Sequence, residues 1–128
     1  MAHKNTLSVS TEVAKRLDVT CRKGDTFALT INAKDSTGTP IDFNVFNDMK
    51  WEVRPTDEDT GVPVLKFLFP SDFDTTVVGS LTITKEAIDM AAVESGVYVY
   101  DFELTDQNNK TTTWFYGIFK INDDVSIG

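Results

Sequence analysis

Side chains that commonly carry out chemistry are few in this sequence, and their spacing fits no known catalytic arrangement. There is one histidine, His3, and one cysteine, Cys21. Nucleophilic catalysis needs a nucleophile beside a general base that a third group orients. No Gly-x-Ser-x-Gly motif is present, and the only histidine lies at the start of the chain. We therefore expect no enzyme activity, and we expect Cys21 to be a buried or half-buried strand residue without special reactivity.

Metal and cofactor sites are not predicted either. Zinc needs three or four His or Cys ligands, and the chain has two such residues. The acidic runs at 57–59 (DED) and 123–124 (DD) lack the alternating spacing and the central glycine of a calcium-binding loop. Neither Gly-x-x-x-x-Gly-Lys nor Gly-x-Gly-x-x-Gly occurs. We predict no metal and no cofactor, with the acidic runs solvated.

The charge balance excludes further classes of partner. The net charge is −8, from 20 acidic and 12 basic residues, whereas a nucleic-acid surface needs clustered Lys and Arg. No apolar run approaches the roughly 20 residues that span a bilayer, and the N-terminus has no apolar stretch typical of a secretory signal. Five basic residues fall among the first 23 positions, which suggests either an arm that docks on an acidic neighbour or a solvated terminus: Lys4, Lys15, Arg16, Arg22 and Lys23.

From residue 17 onward, apolar residues alternate with polar ones at the period of a β-strand. Turn signals separate the runs by roughly 8–12 residues, which is typical of a sandwich or small barrel. Among them, Gly38 and Asn109 are expected to take positive φ, and Pro63 indicates either an edge strand or the start of a strand after it. The last strand is apolar on both sides near its start, so it should be central or covered. The predicted inward sets are Phe27, Leu29, Ile31 and Ala33; Met49, Trp51 and Val53; Leu81 and Ile83; Tyr98, Tyr100, Phe102 and Leu104; and Thr113, Phe115, Gly117, Phe119 and Ile121.

Two segments have helical character. Residues 85–93 are rich in helix formers, follow the possible N-cap Thr84 and stop before Gly96, so we predict a short helix that plugs one end through Ile88 and Ala92. Residues 10–17 could form two helical turns. The predicted fold is all-β, an Ig-like antiparallel β-sandwich over residues 17–128, with one short helix between strands and an N-terminal arm over residues 1–16. In the alternative, residues 5–10 supply an edge strand of the sandwich.

Aromatic side chains offer the remaining candidates for a binding surface. An exposed row of them would favour a carbohydrate-binding or adhesion module, although their place inside alternating strands favours the core. Trp114 and Tyr116 share the less regular face of the last strand, so we select them as contact residues. Together with the basic residues of the arm, the candidate docking residues are Lys4, Lys15, Arg16, Trp114 and Tyr116.

Seven segments in a fixed order span about residues 22–126: RKGDTF (22–27), DSTGTPIDF (35–43), WEVR (51–54), GSLTIT (79–84), SGVYVYDFELTD (95–106), GIFKI (117–121) and DDVS (123–126). Together they resemble a β-sandwich module of tailed-phage structural proteins. The module occurs as the N-terminal domain of baseplate upper proteins and as small stand-alone virion proteins. One departure is the hairpin at 107–110 (QNNK), where the family often has a glycine, whose conformation Asn109 can adopt.

The resemblance implies a bacteriophage virion structural protein that assembles in the host bacterial cytoplasm. The chain ends just past the predicted sandwich, so we expect a free-standing module, a head auxiliary (decoration) or connector-associated protein, with a tail or baseplate adaptor as the alternative. The implied partners are other virion proteins, namely the major capsid, connector or tail proteins, and further copies of the same chain. Neither nucleic acid nor membrane is an expected partner.

Overall fold

Short strands dominate the computed structural model, which describes residues 14–35, 37–56 and 61–123, together with the backbone of residues 6–9. In chain order, the described elements are β1 (Thr6–Val9), β2 (Lys15–Arg16), β3 (Val19–Arg22), β4 (Phe27–Ala33), a 3-10 turn (Phe43–Val45), β5 (Asp48–Arg54), β6 (Leu65–Phe67), β7 (Phe73–Asp74), β8 (Ser80–Lys85), α1 (Ala87–Ala91), β9 (Gly96–Thr105) and β10 (Thr111–Asn122).

The strands form two sheets that pack face to face, which confirms the predicted all-β sandwich. The first sheet, called sheet A, has the order β1-β4-β8-β7. The second, called sheet B, has the order β2-β10-β9-β5-β6, and β3 continues on β10 beyond β2. Strand β10 therefore has neighbours on both sides, as its apolar character predicted. Strand β6 after Pro63 lies at the edge of sheet B, also as predicted.

The core lies between the sheets and contains the predicted inward-facing sets except for Thr113, which is half-buried and pairs with Glu103 on the outward side of β9. Trp51 stacks on Tyr100 with ring centroids 4.5 Å apart, and Phe119 meets both rings edge-on. Offset stacked and edge-to-face pairs add stabilisation beyond the apolar area that they bury. The alternating residues of β4, β5 and β8 all lie inside, so the predicted register of these strands is correct.

A β-bulge corrects the prediction for Trp114. Between β9 and β10, Thr113 pairs with Glu103 while Phe115 pairs with Phe102, so one residue of β10 is extra. A bulge of this kind rotates the side chains that follow it. As a result Trp114 and Phe115 both enter the core, and Trp114 is 0% exposed. The expectation that Trp114 contacts a partner is therefore wrong.

The N-terminal segment is part of both sheets, which corrects the predicted arm over residues 1–16. The backbone of β1 pairs parallel with β4 in sheet A, whereas β2 and β3 pair parallel with β10 in sheet B. The alternative, an edge strand near residues 5–10, matches the position of β1. Lys15 and Arg16 are extended, so the helix predicted over 10–17 does not form there, and residues 10–13 lie outside the described part. These parallel pairs are also a departure from a purely antiparallel sandwich.

A short helix does lie between β8 and β9, but it is smaller than predicted. It covers Ala87–Ala91, and its N-cap is Glu86, whose side chain makes no capping hydrogen bond, while Thr84 belongs to β8. Met90 and Val93 close the end of the core, whereas Ile88 is 77% exposed. The predicted plug is thus formed by the opposite side of the helix, and the roles assigned to Ile88 and Ala92 are wrong.

The turns have the backbone conformations that the sequence predicted. Gly38 and Asn109 have φ of 86° and 62°, as predicted for both. In the β9–β10 turn, the carboxylate of Asp106 accepts hydrogen bonds from the backbone N–H of Asn108 and Lys110. Asp35 does the same for Thr37 and Thr39. These local bonds fix the turns and, with them, the pairing of β9 against β10.

Candidate docking surface

The outer side of sheet B is the surface whose composition best fits protein docking. It is formed by the outward-facing residues of β2, β3, β5, β6, β9 and β10, and we call it the outer B face. The strand register arranges these residues in rows across the sheet. One such row runs in the order Arg16, Tyr116, Asp101, Glu52 and Lys66.

An apolar cluster occupies the middle of β9 and β10 on this face. Ile118 lies directly opposite Val99, and Val97 and Tyr116 are their neighbours on the same side of the sheet. Val97 is 60% exposed and Tyr116 is 45% exposed. Directly opposed and diagonal residues on one sheet face lie within contact distance of each other. These four residues therefore form one continuous patch, called the apolar patch.

The outer B face has more basic than acidic residues, whereas the protein as a whole is acidic. The strand rows nearest α1 contain Arg22, Lys120 and Arg54, while the rows toward the β9–β10 turn contain the acidic residues together with Arg16, Lys50 and Lys66. Among the residues that the structure describes, six of the 11 basic side chains are on this face, but only four of the 15 acidic ones. The basic residues are Arg16, Arg22, Lys50, Arg54, Lys66 and Lys120, and the acidic ones are Asp48, Glu52, Asp101 and Glu103.

Glu52 lies within ion-pair distance of three of these basic side chains. Its carboxylate is 2.7 Å from Arg54, and it lies 3.8 Å and 3.6 Å from the amines of Lys50 and Lys66. The Glu52 side chain is largely buried beneath them. In contrast, within the described part of the chain, no ion pair involves Lys120, Asp101 or Glu103. These three charges remain available to a partner.

Leu17 and Asp18, which lie between β2 and β3, bind the edge of the outer B face beside β10 through hydrogen bonds. The carbonyl of Leu17 accepts a hydrogen bond from the hydroxyl of Tyr100, and the carboxylate of Asp18 accepts one from the N–H of Ile118 at 3.0 Å. This backbone bond and the nearby Arg16 lower the pKa of Asp18. A β-carbon at Gly117 would lie 2.5 Å from the Leu17 carbonyl oxygen, so a side chain there has no room.

The predicted docking residues have different outcomes. Arg16 and Tyr116 are exposed register partners on the outer B face, and Arg16 is also 3.1 Å from Asp18. Lys15 is exposed, but it pairs with Phe115 and therefore belongs to the other side of β2. Lys4 lies outside the described residues. Trp114 is in the core, as described above. Docking through any of these residues stays a prediction.

Sequence reasoning missed the middle of the surface. Val97, Val99, Ile118, Lys120 and Asp101 were not selected, because each lies on the outward side of a strand and none is unusual by itself. Pairing β9 with β10 about the turn at Asn109 would by itself put Ile118 opposite Tyr98. The β-bulge between Thr113 and Phe115 shifts the register by one residue and puts Ile118 opposite Val99, so no signal in the sequence reveals the patch.

The Cys21 thiol and the possible metal ligands among the described residues show no arrangement that supports chemistry. Burial, with a smaller effect of the Asp25 charge, raises the pKa of the Cys21 thiol to about 11, so it is protonated at neutral pH. The described residues contain no group of three or more His, Cys, Asp or Glu side chains close enough to hold a metal ion. His3, Asp124 and the run at 57–59 lie outside the described part. No helix in that part is long and apolar enough to cross a bilayer.

Aromatic side chains do not form the exposed row that a carbohydrate-binding module needs. All 14 aromatic residues lie in the described ranges, and Tyr116 alone is exposed. Phe46, Phe69 and Tyr98 are half-buried, and the others are buried. A single tyrosine beside aliphatic residues is more typical of a protein contact than of a sugar platform.

Comparison with known proteins supports the fold. No family model matches the sequence, and no curated protein matches it significantly. Among solved structures, the N-terminal domain of phage TP901-1 ORF48 has a TM-score of 0.56 at 15% identity, covering 95% of this chain and 99% of that domain. At this identity the likeness shows a shared fold.

Two other structures are more distant. A 2,6-sialyltransferase from Photobacterium sp. JT-ISH-224 has a TM-score of 0.39 at 10% identity, covering 87% of this chain and 18% of the enzyme. CopC from Methylosinus trichosporium OB3b has a TM-score of 0.35 at 13% identity, covering 62% of this chain and 67% of CopC. Neither carries a functional argument.

Proposed function

We propose that this chain is a structural protein of a tailed-phage virion that acts by docking onto other proteins and not by catalysis. The observation that carries the proposal is the fold similarity to a phage domain over 95% of this chain and 99% of that domain. A match of that extent concerns the sandwich as a whole.

The sequence supports the proposal independently of the fold comparison. The segments that resemble the phage module, GSLTIT, SGVYVYDFELTD and GIFKI, lie on β8, β9 and β10. Two of these strands, β9 and β10, are central in sheet B and form the apolar patch. The resemblance therefore includes the strands that define both the core and the candidate docking surface.

The physical properties suit a part that is used repeatedly in an assembly. Aromatic packing around Trp51 gives a rigid core, and the acidic surface outside the outer B face favours solubility. Such a module needs no cofactor or moving segment. Its partners in this proposal are the major capsid protein, connector or tail proteins and further copies of itself, within a virion assembled in the host cytoplasm.

Within the virion, we place the protein on the head, as an auxiliary (decoration) or connector-associated protein. This placement comes from the resemblance to small stand-alone virion proteins, and a tail or baseplate adaptor is the alternative. Dissociating purified particles and separating heads from tails distinguishes the two positions. Immunodetection of the chain in the head fraction would support the first. Detection in the tail fraction alone would replace it with the second, and absence from both would overturn the virion role.

A further inference from the structure

The edge of sheet B at β3 leaves backbone hydrogen-bonding groups open. The N–H of Leu17 donates to the carbonyl of Tyr116 at 2.9 Å. The N–H of Lys23 donates to the carbonyl of Asn122 at 2.8 Å. In a parallel pair with this register, the odd-numbered residues of the segment bond to β10, and the even-numbered ones turn their N–H and C=O groups away from it. Thr20, in the middle of β3, therefore presents both groups outward, where no described residue bonds to them.

The opposite edge of sheet B, at β6, is already occupied by groups of the same molecule. The carbonyl of Lys66 accepts a hydrogen bond of 2.9 Å from the amine of Lys85. The N–H of Leu68 donates to the carboxylate of Asp72 at 2.7 Å. Of these two edges, β3 is therefore the one that can accept another strand.

The side chains of β3 do not protect it from pairing. Edge strands that avoid further pairing commonly have a proline or a charged side chain turned toward the core. The sequence of β3 is VTCR, and its inward residues are Val19, which is 5% exposed, and the half-buried Cys21. A strand added at this edge would cover the part of Cys21 that is still exposed.

We infer that the β3 edges of two copies of this chain pair antiparallel about a two-fold axis at Thr20, so that sheet B continues from one copy into the other. Thr20 then lies opposite Thr20 of the second copy, and the two residues exchange both backbone hydrogen bonds. In the same register, Val19 lies opposite Cys21 and Asp18 lies opposite Arg22. Because the contact is isologous, each of these two pairs occurs twice.

The side chains that meet in this register are compatible. Val19 and Cys21 form a non-hydrogen-bonded pair on the inner side, where opposed side chains approach most closely. On the outer side, the guanidinium of Arg22 meets the exposed carboxylate of Asp18 of the second copy. That carboxylate is also 3.1 Å from Arg16 of its own copy. It therefore lies between the two guanidinium groups and offsets their repulsion.

The other like charges near the contact stay apart. Lys120 lies in the row of Thr20, so the Lys120 residues of the two copies are three strand spacings, or about 14 Å, from each other. The two Arg22 residues are about 13 Å apart along the strands. Both distances exceed the Debye length of about 8 Å at physiological ionic strength, so these repulsions are largely screened.

This pair deepens the docking role proposed above and rests on it for its setting in a particle. The outer B faces of the two copies become parts of one continuous sheet surface. A contact made by one short strand belongs to the weak class of interfaces, for which micromolar or weaker dissociation constants are common. Many copies held side by side in a particle would make such a contact effective.

Self-association is tested on the isolated protein, so this inference and the virion role can fail independently. Sedimentation equilibrium of the full chain, from about 10 µM to about 1 mM, should show the mass rising from 14.3 kDa toward twice that value. The mass of a monomer throughout this range would overturn the inference.

A proline at the axis tests the backbone pairing. Thr20→Pro removes the N–H that the second copy would accept, and should weaken self-association at least about tenfold. Thr20→Ser keeps the N–H and should stay within about threefold of the wild type. Both variants should remain folded by far-UV circular dichroism, because Thr20 is exposed and its N–H has no partner within the described part of the monomer. Undiminished association of folded Thr20→Pro would overturn the inference.

A charge reversal gives a test that changes no backbone group. Arg22→Asp places a carboxylate opposite Asp18 and should weaken self-association at least about fivefold. Lys34→Asp changes the net charge equally, but Lys34 is exposed at the end of β4 in sheet A, so it should have little effect. Equal weakening by the two variants would mean that net charge alone governs association, and it would overturn the inference.

Cross-linking identifies the edge that pairs. In a Cys21→Ser background, Thr20→Cys puts one thiol beside the axis, and a short bismaleimide should join two copies into a covalent dimer. Thr111→Cys in the same background is the matched control, because Thr111 is exposed at the other end of β10 and should give mostly monomer. Equal cross-linking of the two variants, or none at Thr20→Cys where sedimentation shows dimers, would contradict pairing through β3.

Discussion

The hydroxyl of Tyr100, on β9, donates a hydrogen bond of 2.5 Å to the carbonyl of Leu17, at the break between β2 and β3. The two residues are 83 positions apart, and the bond ties the N-terminal segment to the centre of sheet B. Tyr100 also stacks on Trp51, so one side chain joins the core to the edge of the sheet. Several testable properties of the protein depend on this arrangement.

Replacing Tyr100→Phe should lower the free energy of unfolding by about 1–2 kcal/mol, because the ring remains packed while a partly buried carbonyl loses its donor. Urea denaturation at pH 7 measures the change. Tyr116→Phe is the matched control, since Tyr116 is exposed on the outer B face and should change stability by less than about 0.5 kcal/mol. Equal effects in the two variants would contradict the role of the Tyr100 hydroxyl.

The same tyrosine should make stability depend on alkaline pH. Burial, reinforced by the charge of Asp18, raises the pKa of Tyr100, whereas the unfolded phenol ionises near pH 10. The stabilising contribution is therefore complete below about pH 10 and is lost as the pH rises from there toward the folded pKa. Between about pH 10 and 11.5, the wild type should lose more stability than Tyr100→Phe. Parallel pH dependences in denaturant titrations would contradict this.

Phe119 should be one of the most sensitive positions in the core. It is 0% exposed and contacts Phe27, Trp51 and Tyr100. Phe119→Ala should cost about 3–5 kcal/mol, since it removes a buried ring and leaves a cavity. Ile118→Ala, one residue away on the outer B face, should cost at most about 1 kcal/mol in the dilute monomer. Reversed magnitudes in chemical denaturation would show that the register of β10 is wrong.

A side chain at Gly117 should be tolerated less well than one at Gly96, which has nearly the same φ. Gly117 and Gly96 have φ of 157° and 158°, but a β-carbon would lie 2.5 Å from the Leu17 carbonyl oxygen in the first case and 3.6 Å from the Tyr98 ring in the second. Gly117→Ala should therefore cost about 1–3 kcal/mol more than Gly96→Ala.

Amide hydrogen exchange locates the damage at Gly117. The N–H of Leu17 donates to the carbonyl of Tyr116 at 2.9 Å, so its exchange should accelerate in Gly117→Ala and not in Gly96→Ala. Unchanged protection of Leu17 in the first variant would mean that the segment is not held there.

Deleting residues 1–16 should lower the melting temperature by more than about 5 °C, because it removes β1 and β2 and leaves an edge of β4 unpaired. Thermal unfolding followed by circular dichroism measures this, with the full chain beside it. An unchanged melting temperature would restore the arm that the sequence first suggested, and weaker particle incorporation could then be ascribed to docking alone.

Much of the fold was predictable because alternation is a strong signal in long strands. The inward sets of β4, β5 and β8 and the positive φ of Asn109 followed directly from the sequence. The two-residue strand β2 was not predictable, because it lies at a sheet edge with both side chains exposed and shows no pattern. Parallel pairing to β10 depends on distant residues such as Tyr100 and Gly117, which local propensity does not include.

The candidate surface was only half predictable for similar reasons. Alternation alone assigned Tyr116 to the outer side of β10, but a bulge of one residue moved Trp114 into the core. Bulges depend on how two strands meet, and neither strand shows this by itself. The helix between β8 and β9 gave the same lesson. Its five residues are too few to show a helical period, so the sequence did not reveal which side of the helix faces the core. In the structure, Met90 faces the core and Ile88 does not.

The most direct measurement of the central claim is the amount of this chain in purified particles. Tailed particles produced by the genome that carries the gene would be purified by density gradient, washed in high salt and quantified by mass spectrometry against the major capsid protein. The virion role predicts that the chain bands with the particles at a fixed molar ratio that washing does not change. Recovery of the chain in the soluble fraction, with none in the particles, would contradict it.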